Sequence, residues 1–397
     1  MDTHLSSATP FTLNATADAF VSKRPSPPST PTATAAAANH GTPPPTTPTS
    51  AAPQATSAAP ASAWADVTVQ SSTGQPFWVV SDRPFVSGVA PLSQSALVSL
   101  LARIHATYLQ PTSIWGNKQL LIDFEGEMLG FGGMMTSAAV RFLNDTRTPG
   151  LFVDMETAVG IQLMRELLEA PTLQKLVWGA ESDCAALLHQ QRPVELGIRP
   201  ANLVDVQLMY SPTPDKRLSM KKALDRIVDA HPQALAKLPP KDCIEWDGPY
   251  SRNERVLTRP LAAQHVTYAV DDLCRLELVL HHQMDLPPLS DFPTAKQQTE
   301  EMLAVWANDF LGTRWFWRQW RAYNNAVRKR HSVVDQNRRA VVLVRHLLEV
   351  DRRCEGDWQR YLSPSDVRVM FRAYCELPQQ LARFGVEVPG DLGFSDK

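Results

Sequence analysis

Long apolar runs and paired cysteines are both missing from this 397-residue sequence. The longest apolar stretches, such as residues 98–104, are far shorter than the roughly 20 residues that a membrane-spanning helix needs. The five cysteines are scattered without any C-x-x-C pair, which argues against a zinc ribbon, a thioredoxin-type motif and a disulfide framework. We therefore expect an intracellular protein with reduced, mostly packed thiols and no membrane partner, in the nucleus or cytoplasm, with the mitochondrion as the alternative.

Charge is absent from a long segment near the amino terminus. Of the 39 residues at positions 25–63, 35 are Ala, Pro, Ser or Thr and none is charged. Such a composition cannot bury enough apolar surface to offset the entropy that is lost on ordering. We expect residues 1–70 to form a disordered tail. Only Lys23 and Arg24 are cationic in the first 24 residues, which is a poor match to an Arg-rich transit peptide.

Several common catalytic motifs are also absent. The sequence has no G-K-[ST] phosphate loop, no G-x-S-x-G elbow and no H-E-x-x-H. Residues 130–133 begin like a dinucleotide-binding motif, but Met135 stands where that motif needs its third glycine, so we expect a glycine-rich turn. His281 and His282 are adjacent on a predicted helix and their side chains diverge by about 100°, which favours solvated or capping roles over a paired ligand site.

What is present predicts an α/β domain followed by helices. Strand-like apolar runs alternate with helical patterns, and Ser93 is a predicted N-cap. The strand candidates are residues 77–80, 120–126, 138–143, 151–153, 176–178 and 203–206. This alternation is typical of a mixed sheet flanked by helices, which we assign to residues 75–290. Residues 294–385 carry helical patterns almost throughout and predict an all-α region.

Asp123 and Glu125 form a D-x-E pair at the end of a predicted buried strand. Side chains two residues apart on a strand project from the same face. Two neighbouring carboxylates repel each other, so a buried pair implies a cation, and hard oxygen ligands suit magnesium or manganese. The pair alone is equally well explained as a solvated strand end.

Two later segments strengthen the metal interpretation. Asp183 follows a predicted strand and Gly179, near the start of a helix, where ligands of open α/β sheets bind. Tyr268 and Asp272 lie four residues apart on another predicted helix and are therefore neighbours on its surface. They follow an R-P-L segment that begins at Arg259.

The order D-x-E, aspartate after a strand and glycine, and R-P-L followed by Y-x-x-x-D resembles the DEDD superfamily of 3′-to-5′ exonucleases, in its tyrosine subclass. Relatives include RNase D, the exosome-associated exoribonucleases and the Werner-type exonuclease domain. The resemblance implies a ribonuclease-H-like mixed five-stranded sheet and a two-metal-ion hydrolase that acts on single-stranded RNA or DNA, with RNA favoured. It implies two Mg²⁺ or Mn²⁺ ions held by Asp123, Glu125, Asp183 and Asp272, with Tyr268 orienting the attacking water. Asp205 matches an aspartate that ends the next strand in this superfamily, and we interpret it as structural.

Some positions depart from the superfamily pattern. Phe124 stands where a small residue is common inside D-x-E, and Thr267 stands where the histidine subclass has its histidine. Some divergent members have lost carboxylates, so the alternative function is a catalytically weak or inactive exonuclease-fold protein that acts as an RNA-binding or protein-binding adaptor. In that case the acids would be solvated or helix-capping groups.

A basic and aromatic cluster lies within the all-α region. Between positions 310 and 346 there are nine Lys and Arg residues and a single acid, Asp335. Aromatic residues are interleaved with them: Trp315, Phe316, Trp317, Trp320 and Tyr323. The cluster fits either a nucleic-acid track, because bases stack on aromatic faces, or an amphipathic helix whose aromatic residues pack on the rest of the protein. The same region could also bind a protein partner.

Overall fold

The computed structural model describes most of the chain between positions 68 and 385. The described residues are 68–109, 119–127, 129–191, 194–211, 217–230, 233, 238, 259–283 and 286–385. The sequence predicts a disordered tail over residues 1–70. Residues 1–67 of that tail lie outside the described part of the chain, and its last three residues, Thr68–Gln70, form a short strand. In the described part of the chain, no helix is both long and apolar enough to cross a membrane.

A mixed sheet of seven strands is the centre of the fold. The strands are β1 (Thr68–Gln70), β2 (Pro76–Val80), β3 (Gln119–Glu127), β4 (Met134–Phe142), β5 (Gly150–Asp154), β6 (Gln174–Val177) and β7 (Leu203–Asp205). They are arranged in the order β1-β2-β5-β4-β3-β6-β7. β4 is antiparallel to both β3 and β5, while β6 is parallel to β3 and β7 is parallel to β6. This pattern is consistent with the expected ribonuclease-H-like sheet.

The sheet has seven strands instead of the expected five. β3 to β7 are contiguous, and the hairpin of β1 and β2 extends them because β2 pairs in parallel with β5. Ser72, just after β1, helps to hold this hairpin, since its backbone N–H and its hydroxyl donate to the carboxylate of Asp271 at 2.8 and 2.6 Å. The apolar run at residues 77–80 predicts β2. No sequence pattern marks β1, whose only apolar residue is Val69.

Helices cover both faces of the sheet and form the carboxyl-terminal region. The first group is α1 (Gln94–Ile104), α2 (Ala158–Glu169), α3 (Glu181–His189), α4 (Val206–Met209), α5 (Met220–Ala230) and α6 (Ala263–His281). The second group is α7 (Phe292–Ala307), α8 (Thr313–Arg328), α9 (Val333–Arg353), α10 (Trp358–Tyr361) and α11 (Pro364–Arg383). Ser93 caps α1 as predicted, because its side chain accepts a hydrogen bond from the Ala96 N–H. The all-α prediction for the second group is confirmed.

The central strand β3 separates two apolar cores. Ile122 and Phe124 point into one core, which α1, α2 and α3 cover, whereas Leu121 points into the other core, to which α6 contributes. Since side chains alternate along a strand, Asp123 and Glu125 continue the face of Leu121. α6 therefore lies over the face that carries both acids.

The carboxyl-terminal helices have an apolar core of their own. α8, α9 and α11 pack together around buried side chains such as Phe316 and Leu347. Trp315 is also buried, while Trp317 and Trp320 are partly buried against this core. The aromatic residues of the basic cluster are therefore engaged in packing.

The four cysteines within the described residues are unpaired, as expected. Cys184, Cys274 and Cys354 are buried, and Cys375 is exposed. Cys243 lies outside the described residues.

Candidate metal centre

β3 carries Asp123 and Glu125 to the point where the strand becomes irregular. Both acids lie opposite small residues of β4, and the pairing register shifts between Glu125 and Gly126. Such bulges are frequent beside active sites. Gly126 cannot be replaced by a larger residue without movement, because a Cβ atom there would lie 2.2 Å from the carbonyl oxygen of Met134. The irregularity in the strand thus lies directly after the second acid.

α6 brings Asp272 to the same place. The helix is anchored by buried residues such as Val270 and Leu273, which contribute to the core beneath it. Asp123, Glu125 and Asp272 each offer a carboxylate oxygen, and these oxygens all lie within 4.8 Å of one another. Asp272 is 6% exposed, and the other two acids are partly buried. Residues more than 140 positions apart in the chain thus form one carboxylate cluster.

α3 places a fourth acid, Asp183, beside this cluster. Gly179, with a φ of 77°, makes the turn between β6 and α3, and Asp183 lies in the first turn of the helix. Burial raises the pKa of Asp183 well above its ordinary value, and the charges of Asp123 and Asp205 raise it further. Asp183 is therefore close enough to Asp123 to sense its charge, although it is not one of the three acids that meet within 4.8 Å.

Asp205 is buried and holds the turn that leads into α3. Its carboxylate accepts hydrogen bonds from the backbone N–H of Gly179 at 2.8 Å and of Ala180 at 3.1 Å. Arg217 lies 3.1 Å from the same carboxylate and forms an ion pair with it. These contacts support the structural role expected for Asp205, because they fix the start of the helix that carries Asp183.

Tyr268 lies one turn before Asp272 on α6 and is partly buried. The spacing of four residues places both side chains on the same side of the helix. All five candidate residues therefore belong to β3, α3 and α6. Three acids meet, Asp183 lies beside Asp123, and Tyr268 is next to Asp272 on the helix surface.

Arg275 is the residue of this site that the motifs do not reveal. Its side chain is almost fully buried, and one guanidinium nitrogen lies 2.6 Å from the Oδ1 atom of Asp272. Its guanidinium carbon also lies 5.6 Å from the centre of the Tyr268 ring. The only signal in the sequence is an arginine three residues after Asp272, within an apolar helix. Arg275 supplies a positive charge to an otherwise acidic site.

The donor set fits a divalent cation. It consists of the carboxylate oxygens of three acids from two chain segments, β3 and α6, and such oxygens are the ligands that hard cations prefer. Carboxylates this close repel one another, and a bound cation would offset that repulsion. Asp123, Glu125 and Asp272 are therefore placed to hold such an ion, with Asp183 alongside.

Other predicted features lie away from the centre. Exposed His281 hydrogen-bonds to Asn144, and His282 follows α6 as its C-cap, in agreement with the expected solvated and capping roles. Phe124 is 5% exposed and packs into the core on the face opposite the acids, which explains how a bulky residue is tolerated inside D-x-E.

Fold and site together define a ribonuclease-H-like α/β protein with a carboxylate cluster on its central strand. No protein-family profile matches the chain, and no curated protein matches it. Solved structures of RNase D are similar to it. One is Trypanosoma brucei RNase D in complex with GMP, which is 18% identical in sequence over 58% of this chain, with a TM-score of 0.37. The match spans 64% of the length of that enzyme's chain, which is less than two thirds. A complex of the same enzyme with RNA U12 is 18% identical over 58% of this chain and 70% of that chain, with a TM-score of 0.38. RNase D of Escherichia coli, described as an exoribonuclease involved in structured RNA processing, is 14% identical over 73% of this chain and 74% of that chain, with a TM-score of 0.34.

Proposed function

We propose that this protein is a metal-dependent 3′-to-5′ exonuclease of single-stranded nucleic acid, with RNA as the preferred substrate. The observation that carries the proposal is the meeting of Asp123, Glu125 and Asp272 within 4.8 Å, with Asp183 beside them. The sequence resemblance to exoribonucleases favours RNA over DNA. The catalytic domain would be residues 75–290, with residues 294–385 as an added helical region.

Each residue of the site has a role in this chemistry. When bound, two Mg²⁺ or Mn²⁺ ions activate the nucleophile and neutralise charge on the attacking and leaving oxygens of a phosphodiester. Asp123, Glu125 and Asp272 would hold the ions, and Asp183 would act on the side of the leaving group. Hydrolysis joins a water oxygen to phosphorus and breaks a P–O bond, so the departing sugar oxygen takes up a proton. Tyr268 would orient the attacking water through its hydroxyl group, which is a hydrogen-bond partner rather than a strong base.

The experiment that tests this function uses 5′-labelled single-stranded RNA and DNA of the same sequence. Incubated with the purified protein and Mn²⁺, the strand should shorten one nucleotide at a time from its 3′ end. A chelator should stop the reaction, and a 3′-phosphate on the substrate should slow it. Degradation that persists in the chelator, or that starts from internal positions, would refute the proposal.

Exposed basic residues provide a surface for the remainder of the strand. Arg328, Lys329 and Arg330 are all exposed where α8 ends and the turn towards α9 begins. Each phosphate contact on a single strand contributes a slope of about 0.7 to the fall of log affinity with log salt. Replacing all three residues with alanine should therefore flatten the salt dependence of binding to a long strand, while hydrolysis of a dinucleotide should be unchanged.

One observation favours a second function, a non-catalytic binding protein. Arg275 already pairs with one carboxylate oxygen of Asp272 at 2.6 Å, so Asp272 has a positive partner without a metal ion. If this ion pair replaces the metal, Arg275→Met should create Mn²⁺ affinity that the wild-type protein lacks. If the protein is an exonuclease, the wild-type protein binds Mn²⁺ and Arg275→Met changes that affinity instead of creating it. Titration calorimetry on the two proteins distinguishes these outcomes.

A further inference from the structure

An ion pair links the end of β3 to the carboxyl-terminal helices. Glu127 lies two residues after Glu125 and is outside the candidate ligand set. A guanidinium nitrogen of Arg345, on α9, pairs with its carboxylate. The side chains are only 11% and 27% exposed, for Arg345 and Glu127 respectively, so solvent screens this pair less than an ordinary surface pair.

The start of α3 is tied in the same way. Glu181 lies two residues before Asp183, and its carboxylate pairs with Arg318 on α8 and with Arg217 at 3.2 Å. Glu181 is 12% exposed and Arg318 is 40% exposed, so solvent screens this pair more than the pair of Arg345 and Glu127. Because residues two positions apart point in very different directions on a helix, Glu181 faces α8 while Asp183 faces the cluster.

The far end of α3 also contacts these helices. The Nε2 atom of His189 lies 2.6 Å from the carbonyl oxygen of Trp306, at the end of α7. Arg353, near the end of α9, donates to the carbonyl oxygen of His189. Both ends of the helix that carries Asp183 are therefore held by the carboxyl-terminal region.

The loop that follows β3 is packed into these helices as well. Phe131 is 1% exposed and forms a small apolar cluster with Trp306 and Trp315. Two glycines lie close to the aromatic rings here: a Cβ atom on Gly130 would lie 3.0 Å from the ring of Trp315, and one on Gly312 would lie 2.5 Å from the ring of Phe131. Movement of this loop away from the carboxyl-terminal helices would separate the Phe131 ring from both tryptophans.

Building on the proposed function, we propose that the carboxyl-terminal helices fix the positions of the end of β3 and the start of α3, the two segments that carry candidate ligands. Arg345 and Arg318 are the positioning residues. Strand ends and first helical turns are among the parts of a fold that open most easily, and a metal site needs its ligands fixed to within about 0.5 Å. The ties at Glu127 and Glu181 and the packing of Phe131 restrain both segments from outside the catalytic domain. Removing these contacts should loosen the ligands even though no ligand is altered.

The sign of the change in Mn²⁺ affinity tests this role. Removing a nearby positive charge should by itself strengthen the binding of a cation, whereas loss of positioning should weaken it. We expect Arg345→Met and Arg318→Met to raise the Kd for Mn²⁺ about tenfold, the scale seen when groups that orient metal ligands are removed. Glu127→Gln should also raise the Kd, but the loss of its negative charge acts in the same direction, so the two arginine variants decide the sign. Arg345→Lys should restore most of the affinity, and Arg338→Met, at an exposed position on α9, should leave it unchanged.

Hydrogen exchange on the metal-free full chain provides the second measurement. Arg345→Met should speed amide exchange about tenfold at the end of β3, and Arg318→Met should do the same at the start of α3, while β5 exchanges as in the wild type. A wild-type protein that binds no Mn²⁺ would refute the proposed metal centre, and the exchange rates would still decide whether the helices restrain these segments. Unchanged exchange in both variants, or a Kd that falls in either, would overturn the positioning role.

Discussion

Two strands of the same sheet end in the same sequence pattern and give opposite kinds of site. β3 contains Asp123 and Glu125, and β5 ends at Asp154, the first acid of a second D-x-E pair whose other acid is Glu156. Both pairs lie at strand ends in one mixed sheet. The two acids of β3 meet a third carboxylate, that of Asp272 on α6. Those at the end of β5 meet arginines.

Two arginines from other parts of the chain, Arg83 and Arg259, form ion pairs with Asp154 and Glu156. Arg83 makes two hydrogen bonds to the fully buried carboxylate of Asp154, at 2.8 and 3.0 Å, and also pairs with Glu156. Arg259, the arginine of the R-P-L segment, lies 3.3 Å from Glu156, and the hydroxyl of Ser81 adds a hydrogen bond to Asp154. Ion pairs of this kind need no metal. A D-x-E pair therefore acquires its function from what the fold places opposite it.

The largest effect should come from Asp123→Ala. Asp123 is one of the three acids that would hold the metal ions, so we expect its loss to reduce exonuclease activity below detection. The melting temperature should be unchanged or higher, because repulsion among the remaining acids is relieved. Activity on labelled RNA and a thermal scan of the same preparation check both parts. Digestion at the wild-type rate would remove Asp123 from the site.

Asp154→Ala makes the same substitution in the D-x-E pair of β5, and we expect it to lower the stability of the fold. It leaves Arg83 and the Ser81 hydroxyl without their buried acceptor, and breaking such a pair costs about 3 kcal/mol, at the low end of the usual range because the Arg83 side chain is 38% exposed. Denaturant titration measures this loss, and Mn²⁺ affinity should remain that of the wild type. If Asp154→Ala instead removed Mn²⁺ binding at full stability, the contrast between the two strands would be wrong.

Tyr268→Phe should affect turnover more narrowly. The ring and its packing beside Arg275 remain, and only the hydroxyl group that would orient water is lost. We expect the rate to fall by about 10²-fold, which corresponds to about 2.7 kcal/mol in the barrier, with Mn²⁺ affinity preserved. Single-turnover rates at saturating metal measure the effect. An unchanged rate would leave Tyr268 with a packing role only.

The smallest effect concerns the pH dependence of stability in the metal-free protein. The pKa of Asp183 is raised in the folded state, so the folded protein keeps a proton that the unfolded chain releases. The free energy of unfolding should therefore fall as the pH rises from about 4 towards the raised pKa, by at most about 1.4 kcal/mol per pH unit. Asp183→Asn should remove this slope. Unfolding curves in chelator across pH 4 to 7 compare the two proteins, and equal slopes would contradict the raised pKa that burial and the charges of Asp123 and Asp205 give Asp183.

Much of the fold is predictable because it depends on local patterns. Apolar runs predict six of the seven strands, and Ser93 predicts the start of α1. β1 is not predictable, because a three-residue edge strand is held by distant contacts such as those of Ser72 with Asp271. The packing of Trp315 and Phe316 is one of two alternatives that the sequence leaves open, since an aromatic residue on an amphipathic helix suits either a core or a ligand.

In the candidate site, too, some features are predictable from the sequence and others depend on the tertiary structure. The order and spacing of Asp123, Glu125, Asp183, Tyr268 and Asp272 are properties of the sequence. Alternation along a strand and the helical repeat are enough to predict which side chains share a face. The tertiary structure alone decides that Asp272 joins the β3 acids while Arg83 joins Asp154, and that Arg275 lies against Asp272. Charge neutralisation depends on distances of a few ångströms between segments that are far apart in the chain, and no local pattern encodes those distances.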